Sequence, residues 1–160
     1  MESSDGALAT VRDFEDEARA LSAFIEILES EQTALAENRI DEVNGLAGAK
    51  ARHLAVLTRH SEKRAARLEA AGISPDAEGA RAWLAGLPEN SGASAAWERV
   101  TELARRARDL NQANGWVVSL QMQRIRRQLA FLAKASSNHP VYSADGVARL
   151  AMRSRSLGEA

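Results

Sequence analysis

Apolar side chains recur at helical spacing along most of this chain, and the pattern divides it into three long segments and one short one. In the first, Phe14, Leu21, Leu28 and Leu35 repeat every seven residues. Ala18, Ile25 and Gln32 follow four residues after the first three of them. Such a three-four seam predicts a helix over about 6–37 that packs lengthwise against others. Phe24 and Ile27 widen its apolar stripe, so this helix should touch more than one neighbour. Asn38 suits the left-handed position at a helix end, and Asp41 suits the cap of the next helix.

The second segment, about 42–71, has a seam of Val43, Leu46, Lys50, Leu54, Leu57, Ser61, Arg64 and Leu68, and Gly72 ends it. The short reversal predicts an antiparallel hairpin. A short helix over about 75–86 follows, with Ser74 as its cap, Pro75 in its first turn and Ala80, Trp83 and Leu84 as its apolar face. Pro88 to Gly92 reads as a loop. The third long segment, about 94–135, carries Trp97, Val100, Ala104, Ala107, Asn111, Asn114, Val118, Gln121, Ile125, Leu129 and Leu132 at helical spacing. Unbroken, it would be on the order of 60 Å long at ~1.5 Å per residue. Asn114-Gly115 is a turn signal in its middle, but the apolar period continues on both sides. From Ser136 the period fades and Asn138-His139-Pro140 stops the helix. The expectation is an all-α domain over 1–135: a long antiparallel hairpin plus a long third helix, coiled-coil-like, with a flexible tail over 136–160.

Composition agrees: Ala, Leu, Glu and Arg dominate, aromatics are 4% and there are three prolines among 160 residues. No run alternates as a strand would. There is no Cys, which removes disulfides, thiolate nucleophiles and Cys-ligated zinc. The acidic start, Met1-Glu2-Ser3-Ser4-Asp5, is unlike a secretory signal, and no stretch reaches the ~18 apolar residues of a spanning helix. A cytoplasmic protein without membrane insertion is therefore expected.

The net charge of −1 hides a polarity: residues 1–80 hold 16 acids and 9 bases, and residues 81–160 hold 6 acids and 12 bases. The simplest reading is internal, an acidic first helix beside a basic third one. The arginine clusters Arg105-Arg106-Arg108 and Arg124-Arg126-Arg127 lack interleaved aromatics apart from Trp116 and Phe131, so a charged helix face is favoured over nucleic-acid binding.

Chemistry is hard to find. His53 and His60 lie seven apart, which is not a metal-ligand spacing, and His139 stands alone. The glycines are scattered, with no phosphate loop. Neighbouring acids such as Asp16 and Glu17 splay apart around a helix. Neither an enzyme nor a cofactor is expected. What needs explaining is the third helix, which carries Trp116, Val117, Val118, Leu120, Met122, Ile125, Leu129, Phe131 and Leu132 around much of its circumference. Apolar surface on that scale is either a partner groove or buried core with a dimer contact.

Trp97, then Asn111-x-x-Asn114-Gly115, then Tyr142-Ser143-Ala144-Asp145-Gly146, in this order, resemble the FlgN family of flagellar export chaperones. The hairpin is similar too, through its acidic Leu-rich first helix and through Leu46, Lys50, Leu54 and Leu57 with Arg64 downstream. The tail reads Tyr-Ser-Ala-Asp-Gly where the family has Tyr-Gly-x-x-Gly. The resemblance implies a cytoplasmic helical bundle that binds the C-terminal helices of hook–filament junction proteins. It implies delivery of those clients to the flagellar type III export gate, with the tail tyrosine taking part in docking. The partner-binding residues expected on this basis are Asn111, Asn114, Gly115, Val118, Met122, Ile125, Leu129, Leu132, Tyr142 and Gly146. The alternative is a structural or adaptor coiled coil, homodimeric and without a secretion client.

Overall fold

The computed structural model describes residues 2–137, with side chains described over 6–135. Four α-helices follow in order: α1 (Glu2–Ala36), α2 (Ile40–Ala70), α3 (Ala77–Ala85) and α4 (Ala93–Ser137), with a 3-10 turn at Glu89–Ser91 before α4. Among the described residues there is no strand. No helix is long and apolar enough to cross a membrane among them. The expected tail, Tyr142 and Gly146 included, lies outside the described residues from 138 onward.

Helix ends follow their local chemistry. Asn38 has φ 56° and stands just past α1. The Arg39 amide donates to the Ala34 carbonyl at 2.8 Å and the Asn38 amide to Leu35 at 3.2 Å. Gly72, φ 72°, ends α2 in the same way. There the Ile73 amide reaches the Leu68 carbonyl at 2.9 Å and the Gly72 amide reaches Glu69 at 2.9 Å. Both ends thus satisfy carbonyls that a helix leaves without partners. Ile73 then packs on the core that holds Leu68.

Two caps differ from expectation. Helix α2 starts at Ile40 on Arg39 with no side-chain cap, so Asp41 sits inside its first turn. With only Glu37 to Arg39 between the helices, no extended residue is left for Asp41 to cap from. Helix α3 is capped by Asp76, whose Oδ1 accepts from the Gly79 amide at 2.7 Å. Ser74 instead donates to Asp76 Oδ2 at 2.6 Å. A carboxylate at a helix N-terminus gains from the dipole as well as from the hydrogen bond, which favours Asp76 over Ser74.

The chain separates into two compact units, Met1–Val118 and Ser119–Ala160, and the boundary falls within α4. The core belongs to the first. Helix α1 is its axis: Phe14, Ala18, Leu21, Phe24, Ile25, Leu28 and Leu35 are all buried. Complete burial of one such leucine contributes about 1.5–3 kcal/mol. Trp97, Val100 and Ala107 of α4, Leu68 of α2 and Ala80 and Leu84 of α3 close on it. Helices α1 and α2 come closest along their backbones. The seams depart from strict heptads in two places. Gln32 is exposed while Glu31 and Ala34 are buried, and Leu54 of α2 is exposed. The buried line of α1 itself keeps to sevens, through Phe14, Leu21, Leu28 and Leu35 and beside it through Glu17, Phe24 and Glu31, so these departures are local. Residues 119–137 form the described part of the second unit, and within it every side chain described is exposed except half-buried Gln121.

Two glycines predict opposite outcomes for one substitution. A Cβ at Gly79 would lie 2.0 Å from the Ser74 carbonyl oxygen, whereas a Cβ at Gly115 meets nothing within 4 Å. Gly79→Ala should therefore cost about 1–3 kcal/mol through a backbone collision. Gly115→Ala should stabilise by up to about 1 kcal/mol through helix propensity. Urea unfolding followed by circular dichroism reads both, and equal shifts of one sign would contradict the packing.

Candidate functional site

Helix α1 carries two buried carboxylates, Glu17 and Glu31. A buried charge is tolerated when it is paired and hydrogen-bonded. Lys50 Nζ of α2 donates to both Glu31 oxygens, at 3.0 and 2.8 Å. Asn114 Nδ2 of α4 donates to Glu31 Oε2 at 2.8 Å and to the Leu28 carbonyl at 2.8 Å. One carboxylate therefore joins three helices. Glu17 repeats the construction two heptads earlier: Arg64 of α2 donates to it. The Arg64 guanidinium also lies 5.1 Å from the centre of the Trp97 ring of α4, a cation–π contact. Trp97 in turn meets Phe14 of α1 with ring centres 5.3 Å apart.

These pairs fix the directions of the helices. Going from Glu17 to Glu31 on α1 corresponds to going back from Arg64 to Lys50 on α2, so the two are antiparallel. Going from Phe14 to Leu28 corresponds to going forward from Trp97 to Asn114, so α1 and α4 run parallel within the first unit. Paired polar groups at these positions contribute more to register than to net stability, since desolvation offsets much of the Coulomb gain.

Near the start of α1, Asp13 pairs with Lys63 at 2.6 Å and Arg67 at 2.6 Å. Burial raises the Asp13 pKa, but the hydrogen bond from Lys63 and the charges of Arg67 and Lys63 outweigh it and leave the carboxyl below its ordinary value. The cross-helix ion pairs thus run largely from α1 to α2, which corrects the expectation that α1 acids are matched by the basic third helix. Arg106 of α4 does reach Glu29 of α1. Arg105 pairs instead along its own helix with Glu102 at 2.7 Å and Asp109 at 3.0 Å.

The residues expected to meet a partner divide. Asn114 is only 1% exposed and serves the fold from inside, where its Oδ1 finds no donor among the described residues. Asn111, one turn earlier, is exposed, as is Gly115. Val118, at the end of the first unit, is exposed. Met122, Ile125, Leu129 and Leu132 are all exposed, Ile125 to 48%, and their four-three spacing makes one stripe along the helix. Sequence reasoning left Trp116, Leu120 and Phe131 out of the site, yet they are exposed too, Phe131 to 73%. Their spacing from the stripe carried the signal, because it places them on another side of α4. A separate open groove of about 610 Å³ in the first unit has Phe14, Ala18 and Ala96 in its lining and charges of both signs, including Glu15, Arg19 and Arg99.

The described residues form an all-α helical protein with an exposed apolar stripe on the last part of α4. The family model described as FlgN protein matches residues 9–149, and this chain belongs to that family. It is a chaperone of flagellum assembly and type III export, and proteins of the flagellum are its partners in general terms. Comparison with curated proteins and with solved structures gave no match.

Two predictions follow from the buried carboxylates and their neighbours. Asn114→Asp keeps the shape, removes the donor to Leu28 and places a second carboxylate beside Glu31. It should lower stability by about 3 kcal/mol or more in urea unfolding, and a change within about 0.5 kcal/mol would contradict the described contacts. The depressed Asp13 carboxyl contributes stability that is complete above its unfolded pKa and is lost as pH falls through its lower folded value. Relative to Asp13→Asn, the unmodified chain should lose its advantage below roughly pH 4. A difference between the two that stays constant from neutral pH down to about 2 would refute this.

Proposed function

We propose that this chain binds the C-terminal helices of hook–filament junction proteins in the cytoplasm, keeps them unassembled and hands them to the flagellar export gate. The observation that supports this reading is the stripe of Met122, Ile125, Leu129 and Leu132, exposed on an α4 surface where a folded domain would normally bury such residues. Four-three spacing is what a helix presents to another helix, so the fitting occupant is an amphipathic helix lying along α4. Met122 adds an adaptable contact. Val118 extends the same spacing, and Asn111 and Gly115 are exposed polar and small positions nearby that a partner backbone can approach. Asn114 acts indirectly, by holding α4 on α1. The Tyr142 and Gly146 segment is proposed as the second contact, to the gate.

Such a surface has a physical purpose. The apolar face of a client helix is prone to aggregate until the filament covers it, and a matching helix can shield it in the meantime. Binding is expected at about one client per chain. Ile125→Asp should weaken it by about tenfold or more, or ~1.4 kcal/mol, in calorimetric titration with a purified junction protein. The thermal unfolding of the variant should match the unmodified chain, because Ile125 is exposed. A variant that unfolds globally would place Ile125 in a core and refute the assignment.

A further inference from the structure

Residues 119–137 carry a second face that the proposed client site leaves unused. Leu120, Arg124, Arg127 and Phe131 follow the same four-three spacing as the client stripe. At 100° per residue the two stripes centre roughly 150° apart around the helix. A docked helix covers an arc of about 100°, so one helix cannot occupy both. Leu120 and Phe131 are exposed on this second face.

Its charge is as informative as its shape. In the first unit, several cations that face a neighbouring helix are paired with carboxylates: Lys50 with Glu31, Arg64 with Glu17, Arg106 with Glu29. Residues 119–137 contain no Asp or Glu. Arg124 and Arg127 have no carboxylate partner among the described residues. A stripe that alternates apolar and cationic positions is complemented by a helix that alternates apolar and acidic ones. A second copy of this face is a poor occupant, because it would set arginine against arginine. Nucleic acid would answer the arginines and leave the apolar Leu120 and Phe131 on the same face without a role.

We propose that residues 119–137 are held between two helices of the client, one on the Met122–Leu132 stripe and a second, acidic amphipathic helix on the face of Leu120, Arg124, Arg127 and Phe131. This rests on the chaperone reading and adds to it a chemical requirement on the client: an acidic helical segment besides the apolar one.

The test is calorimetric titration of the full chain with the full-length junction protein of the same organism, at about 50 and about 300 mM salt, a range over which exposed charge pairs become screened. Unmodified chain should bind more weakly at the higher salt. The double variant Arg124→Glu/Arg127→Glu should bind roughly tenfold or more weaker at low salt and lose the salt dependence. Phe131→Ser should weaken binding while keeping it. Circular dichroism should be the same for all three. If the unmodified chain and the double variant bind equally well, the client uses one face and the inference falls alone. If the unmodified chain binds no junction protein at all, the chaperone reading falls and takes the inference with it. A salt-sensitive gel shift with duplex DNA, or a dimer of the chain alone in sedimentation, that is abolished by the double variant would reassign the face and overturn the proposal.

Discussion

The Glu31 carboxylate is the constraint around which the first unit is arranged. It is buried on α1, bound by Lys50 from α2 and by Asn114 from α4. A carboxylate without these partners could not stay buried, and without it Lys50 would lose its acceptor and the Asn114 amide would keep only the Leu28 carbonyl. The apolar seam of α1 alone would tolerate sliding by a heptad, since one leucine packs much like another. Glu31 and its counterpart Glu17 remove that freedom, because cation, carboxylate and α4 side chain must coincide at both places. Stability comes from Phe14, Leu21, Leu28 and Trp97; the choice of a single register comes from the paired polar groups.

Helix α4 has two parts of different character. Its first part, Trp97 to Asn114, is seated on α1 by aromatic packing and by the Asn114 hydrogen bonds. The same helix then continues through residues 119–137, whose described apolar side chains are exposed and among which there is no Asp or Glu. Sequence composition changes where burial changes: acids and bases alternate through Asp109, and from Leu110 to Ser137 there is no acid. In the proposed function the first part folds without a client and the second is the surface that a client covers.

Much of the fold was legible because helices announce themselves through period, and Asn38 and Gly72 mark ends through a conformation that few residues adopt. The order of the helices and the antiparallel hairpin followed from those signals. Three features were not legible. Burial of Glu31, in line with Glu17 and Phe24, depends on two partners far away in sequence, Lys50 and Asn114. The inward turn of Asn114, expected on a partner-facing surface, depends on the Leu28 carbonyl and Glu31 being within reach. The matching of α1 acids by α2 rather than by the basic end of α4 depends on register, which charge totals for half-chains do not contain. The exposed stripe at Met122, Ile125, Leu129 and Leu132 was read from periodicity, and the spacing of Leu120 and Phe131 held the signal for a second side of α4.

Residues 119–137 are proposed as the part of the chain that a client covers. Hydrogen exchange of the backbone amides, compared for the chain alone and for the chain saturated with a junction protein, tests it directly. The account predicts new protection concentrated in residues 119–137, with the Glu17 and Glu31 regions of α1 and the facing part of α2 unchanged because they are already packed. Protection that appears instead on α1 and α2 while residues 119–137 exchange as before would contradict it.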